Sequence, residues 1–248
     1  MRGCPHLVKA FFLSQLREPV GFFFLLVFGP VLVTVLGLIF GNDPRQEFGG
    51  AGFMDSALPG FILMSPLIAG AVTVPQNQLL LRTSGVLTRL RVTPLKPRTF
   101  VAADLTVHLV LGMVGALLTF ATGVLLFRVP PPQNGLGVLA AVLLGLVAML
   151  ALGYVLAAVY PSVGAATGVG NVVMILLMIS SGSFFPVEGL SSGVRTAMQA
   201  SPSFHMTQLV DASWESQAWD PASVVVLLGM AAVFGVLGTV LFRWDRTR

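Results

Sequence analysis

Six apolar stretches, none containing Asp, Glu, Lys or Arg, constrain this chain more than any other feature. They run Val20–Phe40, Leu58–Val74, Leu105–Phe127, Leu136–Val159, Val163–Phe185 and Ala222–Phe242. A helix crosses the hydrocarbon core with about 20 residues, in a working range of about 17 to 25. A charged residue at mid-span costs about 2.5 to 3.5 kcal/mol on the insertion scale, so its absence from all six is a coherent signal. Only 10% of the 248 residues are charged, against about 25% in soluble domains. The sequence therefore predicts an all-α membrane protein with six transmembrane helices, organised as a single membrane domain over residues 1–248.

The second stretch is the shortest and carries Pro59, Gly60, Pro66 and Gly70. Charge distribution decides whether it crosses. With the N-terminus, the 75–104 loop, the 160–162 turn and the C-terminus on one side, eleven of the fourteen Lys and Arg fall there. Arg45, Arg128 and Arg195 fall on the other side. Removing the span would put the most basic loop on the wrong side of the positive-inside rule, so the span stays and both termini are expected in the cytoplasm. A net charge of +4 does not point to nucleic acid, because the basic residues lie in short loops rather than on one soluble face. The N-terminal apolar stretch is longer than a signal h-region and lacks a small-x-small cleavage site, so it is expected to be retained. Cys4 is the single cysteine and excludes an internal disulfide.

Three segments outside the spans have character. Leu7–Glu18 places Val8, Phe12, Leu13 and Leu16 on one arc and Ser14, Arg17 and Glu18 opposite, with Lys9 intruding on the apolar arc and Phe11 on the polar one, and is expected to lie at the cytoplasmic interface. In the basic loop, Ser84 is placed to cap a short helix over Gly85–Val92, and Pro94 and Pro97 stop it. The basic residues of that loop either act through the helix or only set topology and touch anionic lipid. Pro186–Pro221 predicts two short helices, Leu190–Ala200 and Phe204–Ala212, in a stretch apolar enough to pack on the spans or fold back into the outer leaflet.

Motifs for chemistry are scarce. Neither lysine, Lys9 or Lys96, stands in a GxxxxGK[ST] loop, and HExxH and GxSxG do not occur. No cofactor or metal is implied. Asp104 and His108, at i and i+4, read either as a local ion pair at the mouth of the third span or as the seed of an intramembrane enzyme site. Asn171, Ser180, Ser181, Thr119 and Thr122 either bond helix to helix or line a weakly polar substrate path. Gly164 and Gly168 form a GxxxG pair that faces lipid, packs within the subunit or meets another subunit. Phe184-Phe185-Pro186 ends the fifth span, and the two rings suit a dry outer gate.

With these residues in view, the chain resembles the type-2 ABC exporter permeases, in particular the daunorubicin-resistance-like branch. The resemblance runs nearly end to end. It rests on REPVGFFFLLVFGPVL (17–32), SGVLTRLRVTPL (84–95), SGSFFPVEGL (181–190) and SPSFHMTQLV (201–210). It implies a permease in a bacterial inner membrane that dimerises with itself or with a related permease and sits on two separately encoded ABC ATPase subunits. It also implies that Gly85, Leu87, Arg89, Leu90, Arg91, Thr93 and Pro94 belong to an ATPase-coupling helix. Many relatives carry an acidic residue two places before that glycine, where this chain has Thr83. Asn171, Ser180, Ser181, Phe184 and Phe185 are the expected path and gate. The cargo implied is a drug or lipid; a polysaccharide or lipid-linked glycan is the alternative. The three tryptophans, Trp214, Trp219 and Trp244, all lie at or outside the membrane edge.

Overall fold

The computed structural model describes residues 4–44, 50–86, 97–183 and 191–241. The described residues form helices and their connections, with no strand among them. Helix α1 is Cys4–Leu16, and α2 to α6 are Pro19–Phe40, Phe53–Thr83, Pro97–Phe127, Gly135–Val159 and Val163–Ser180. Two shorter helices follow, α7 (Ser192–Gln199) and α8 (Pro202–Trp214), and then α9, Pro221–Leu241. Six of these, α2 to α6 and α9, are long and apolar enough to cross a membrane. They correspond one to one with the six expected spans.

The bundle is built around α3. Its apolar window is 94% buried, whereas those of α6 and α9 are 11% buried. A helix rich in proline and glycine at the centre is physically sensible in lipid. Helices there gain little from excluding water, so close packing on small residues holds them together. A methyl group placed on Gly153 of α5 would stand 2.6 Å from the Gly70 carbonyl oxygen of α3, and one placed on Gly70 would stand 2.2 Å from Met149 O. The two backbones therefore touch directly. Gly170 of α6 approaches the Ala71 carbonyl in the same way. Ala71 O is the oxygen that residue 75 would satisfy in a regular α-helix, but Pro75 has no N–H to give.

Both α2 and α3 contain one wide, π-type turn, Phe23–Val27 and Ala69–Thr73 respectively. In α2 this turn lies just before Pro30, whose ring cannot fit against a regular preceding turn.

Boundaries differ from the sequence expectation in three places. Helix α3 continues to Thr83, nine residues beyond Val74, so the basic loop is shorter than 75–104. Ser84 is the C-cap of α3: its N–H donates to Leu80 O and its hydroxyl to Leu81 O. The short helix expected over Gly85–Val92 lies, beyond Val86, outside the described residues. Gly85 follows with φ +71°, the left-handed value that closes a helix. Helix α4 begins at Pro97 instead of Leu105, which puts Asp104 two turns inside it. Helix α6 stops at Ser180, five residues before Phe185. The Ser180 and Ser181 hydroxyls donate to Leu177 O and Met178 O, and Gly182 turns the chain at φ +80°.

Helix α1 forms over the expected segment, but Phe11, which looked misplaced, is its anchor. Its ring meets buried Phe100 of α4 edge-on at 5.2 Å, and Gln15 is buried beside it, while Phe12, Leu13 and Leu16 face outward. The two expected helices after the fifth span are α7 and α8, and α8 is tucked against α5 and α9. Gln133 and Asn134 of the α4–α5 connection donate backbone N–H groups to Trp214 O and Ser213 O at the end of α8.

Candidate functional site

Two polar clusters mark opposite ends of the bundle. The first lies at the basic end, where the 84–96 loop joins α3 to α4. Asp104 of α4 is fully buried, and three side chains from two other helices donate to its carboxylate. Asn77 Nδ2 reaches Oδ1 at 3.1 Å, while Gln78 Nε2 and the Tyr154 hydroxyl reach Oδ2 at 2.8 and 2.5 Å. His108 lies one turn on, with Nδ1 3.0 Å from the Asp104 backbone carbonyl and 3.6 Å from Oδ1. Both are acceptors, so the pattern puts the proton on Nδ1. Close by, Arg82 Nη1 donates to Ala157 O in the last turn of α5, at 2.9 Å.

Asp104 and His108 are therefore adjacent, and the local pair is buried rather than open to a substrate. It is the α4 part of a network that includes α3 and α5. The sequence reading missed Asn77, Gln78 and Tyr154. The first two fell in the presumed loop, and Tyr154 sat unremarked within Leu136–Val159. A usable signal existed, because a long polar side chain in a span calls for a hydrogen-bond partner.

The second cluster lies at the far end, where α6 stops. The hydroxyls of Ser180, Ser201 and Ser203 form a triangle with sides of 2.7, 2.7 and 3.2 Å. Ser183 Oγ lies 3.2 Å from Thr207 Oγ1, and Ser183 N–H donates to Ser181 Oγ. Ser180 and Ser181 are thus hydrogen-bonded within the subunit, tying the end of α6 to α8. Beside them the imidazole of His205 has Nδ1 at 3.0 Å from Ser223 Oγ and Nε2 at 2.8 Å from Gln199 O. Ser223 in turn donates hydroxyl and N–H to Asp220 Oδ2. Those bonds from Ser223, with one from the Ala222 N–H, hold the exposed Asp220 carboxyl below the usual carboxylate range.

Asn171 stands apart from both clusters. It is exposed on α6, and its amide makes no hydrogen bond. Around it are exposed Val169, Val172, Ile175 and Leu176. Gly164 and Gly168 lie on the same helix. A methyl group on Gly168 would meet nothing within 4 Å, and one on Gly164 only the Ser162 hydroxyl, at 3.9 Å. The pair is not used for packing inside the subunit. Of the remaining spans' hydroxyls, Thr119 and Thr122 bond back to Gly115 O and Leu118 O of their own helix.

Of the expected coupling residues only Gly85 is described. Leu87, Arg89, Leu90, Arg91, Thr93 and Pro94, like the gate residues Phe184 and Phe185, lie outside the described residues. No group of three His, Cys, Asp or Glu capable of holding a metal occurs among the described residues.

A family model described as ABC-2 type transporter matches residues 4–213. The match includes both clusters apart from Asp220 and Ser223, together with all of α1 to α7. No curated protein matches the chain. The chain belongs to the ABC-2 type transporter family and is a multi-pass membrane permease subunit of an ABC transporter.

Proposed function

We propose that this permease carries a hydrophobic or amphipathic substrate, a drug or a lipid, outward across a bacterial inner membrane, driven by two separately encoded ATPase subunits. The basic end faces the cytoplasm in this reading, because eleven of the fourteen Lys and Arg belong to that side. The 84–96 loop, with Gly85, Leu87, Arg89, Leu90, Arg91, Thr93 and Pro94, docks on the ATPase. Gly85 supports this by turning the chain sharply at φ +71° and ending the long α3 helix.

The observation that carries the reading is the outward face of α6. Asn171 presents an unpaired amide in the middle of an apolar span, beside two glycines that pack on nothing in the subunit. An amide left bare in hydrocarbon is unfavourable, and small residues at that spacing let two helices approach closely. A second permease, a copy of this chain or a relative, satisfies both. The substrate passes between the two α6 faces, with Ser180 and Ser181 near their ends and Phe184 and Phe185 as the outer constriction.

Membranes containing the permease and its ATPase provide the test. In a Cys4→Ser background, Asn171→Cys is expected to cross-link to its counterpart, and Asn171→Leu to lower ATP-driven efflux of daunorubicin. Absence of cross-linking at positions 164, 168 and 171 overturns the α6 interface. Failure of an ATPase subunit to co-purify overturns the energy source.

A further inference from the structure

We propose that Asp104 is a positioning residue for energy coupling: with Gln78 and Tyr154 it locks both roots of the 84–96 loop to α5, so that three helix ends move as one body. The proposal rests on reading that loop as the ATPase-docking segment.

Asn77 and Gln78 lie within two turns of the end of α3, before the loop, and Asp104 lies two turns into α4, after it. Their hydrogen bonds close the loop at its base. Tyr154, five residues before the end of α5, joins the same carboxylate oxygen as Gln78, whose amide is also 3.2 Å from the tyrosine hydroxyl. Arg82 adds a second strap one turn closer to the loop, onto Ala157 O.

Apolar packing does not require this carboxylate, since Gly70 and Gly153 already bring α3 and α5 into backbone contact. Burying an ionisable group within spans is costly, and such groups mark function by default. What the carboxylate adds is direction. Hydrogen bonds to a charged acceptor are the strong ones, and they fix register where apolar contact alone permits sliding. A shift of α4 by one turn, about 5.4 Å, would break all three bonds together and leave a bare carboxylate in a dry site. Force applied to the loop therefore reaches α5 without being lost in slippage of α3 against α4.

The test uses the full-length permease assembled with its ATPase, in a Cys4→Ser background. Spin labels are placed in pairs at Ser84, Ala102 and Val159, all exposed. Between the nucleotide-free and vanadate-trapped states the three distances are expected to stay within about 2 Å, below the scale of a helical ratchet. Asp104→Asn and the near-isosteric Tyr154→Phe are expected to broaden the triangle. Daunorubicin exported per ATP hydrolysed should fall at least about tenfold, with thermal stability followed in parallel. Gln78→Glu combined with Asp104→Asn moves the carboxylate to α3 and should restore the ratio to within about threefold of the original. The proposal is overturned if the unsubstituted triangle shifts by a helical turn between states. Single variants that keep both triangle and ratio also overturn it, as does a relocated carboxylate that rescues nothing. Loss of ATP-driven export in the unsubstituted complex would remove the reading of the loop itself. Normal export there with unaffected variants would remove only the lock.

Discussion

The Ser65 hydroxyl stands 2.9 Å from the Leu25 carbonyl oxygen on the neighbouring helix, with Gly112 O at 3.0 Å as its second acceptor. Leu25 lies in the wide turn of α2, and five residues on is Pro30, which has no N–H to offer. One buried hydroxyl thus joins α2, α3 and α4 where the backbone of α2 is irregular. Ser65→Ala should cost about 1 kcal/mol. Ser65→Cys, which keeps the size but donates weakly, should recover little of it. The check is the midpoint of unfolding in detergent.

The glycines separate sharply by neighbour. Gly153→Val should prevent α3 and α5 from closing, costing about 1 to 3 kcal/mol as an overpacked contact, because the obstructing atom is the backbone oxygen of Gly70. Gly235→Ala, where a methyl meets nothing within 4 Å, should be neutral or slightly stabilising. Parallel thermal melts of the two variants decide it.

At Gly85 the left-handed φ of +71° sets the expectation. Proline fixes φ near −65° and cannot adopt it, whereas asparagine tolerates it. Gly85→Pro should uncouple ATP hydrolysis from transport while membrane insertion stays normal, and Gly85→Asn should retain most coupling. Equal transport by both would reduce the loop to a determinant of topology.

The start of α9 should depend on acid. Asp220 accepts from the Ser223 hydroxyl first, then from the Ser223 and Ala222 N–H groups, and is lowered from 3.8 as a result. A carboxyl with a depressed folded value stabilises above its unfolded value and loses that contribution as pH falls through the folded one. Protection of the Ala222 and Ser223 amides from hydrogen exchange should therefore drop below pH 3.8, the ordinary value. Asp220→Ala should abolish that dependence.

Sidedness is directly measurable. In a Cys4→Ser background, cysteines at Asp43 and Glu215 should react with an impermeant thiol reagent in intact cells, and one at Arg91 should not. Reaction at Arg91 would invert the orientation or remove a span.

The sequence by itself determined the number and order of the spans. The need for about 20 apolar residues is imposed by the bilayer on each segment separately, and no neighbour has to be known. Val20–Phe40 and Ala222–Phe242 were legible to within a residue or so for the same reason. The short second stretch was legible as a span but not as the centre of the molecule. Its Pro59 and Pro66, and Pro75 just beyond it, look like interruptions until other helices are packed around them, and its continuation through Gln78 and Arg82 is held by partners on α4 and α5.

Only the tertiary structure decided what the polar residues and glycines do. Asp104 meets Gln78 and Tyr154, 26 and 50 residues away in the chain, and nothing local to Asp104 names them. Gly70, Gly153 and Gly170 join helices within the subunit, while Gly164 and Gly168 meet no other helix of it. Their local sequences are equally apolar. A glycine's role, like that of a buried carboxylate, is set by the atom across the interface, and that atom comes from a distant part of the chain.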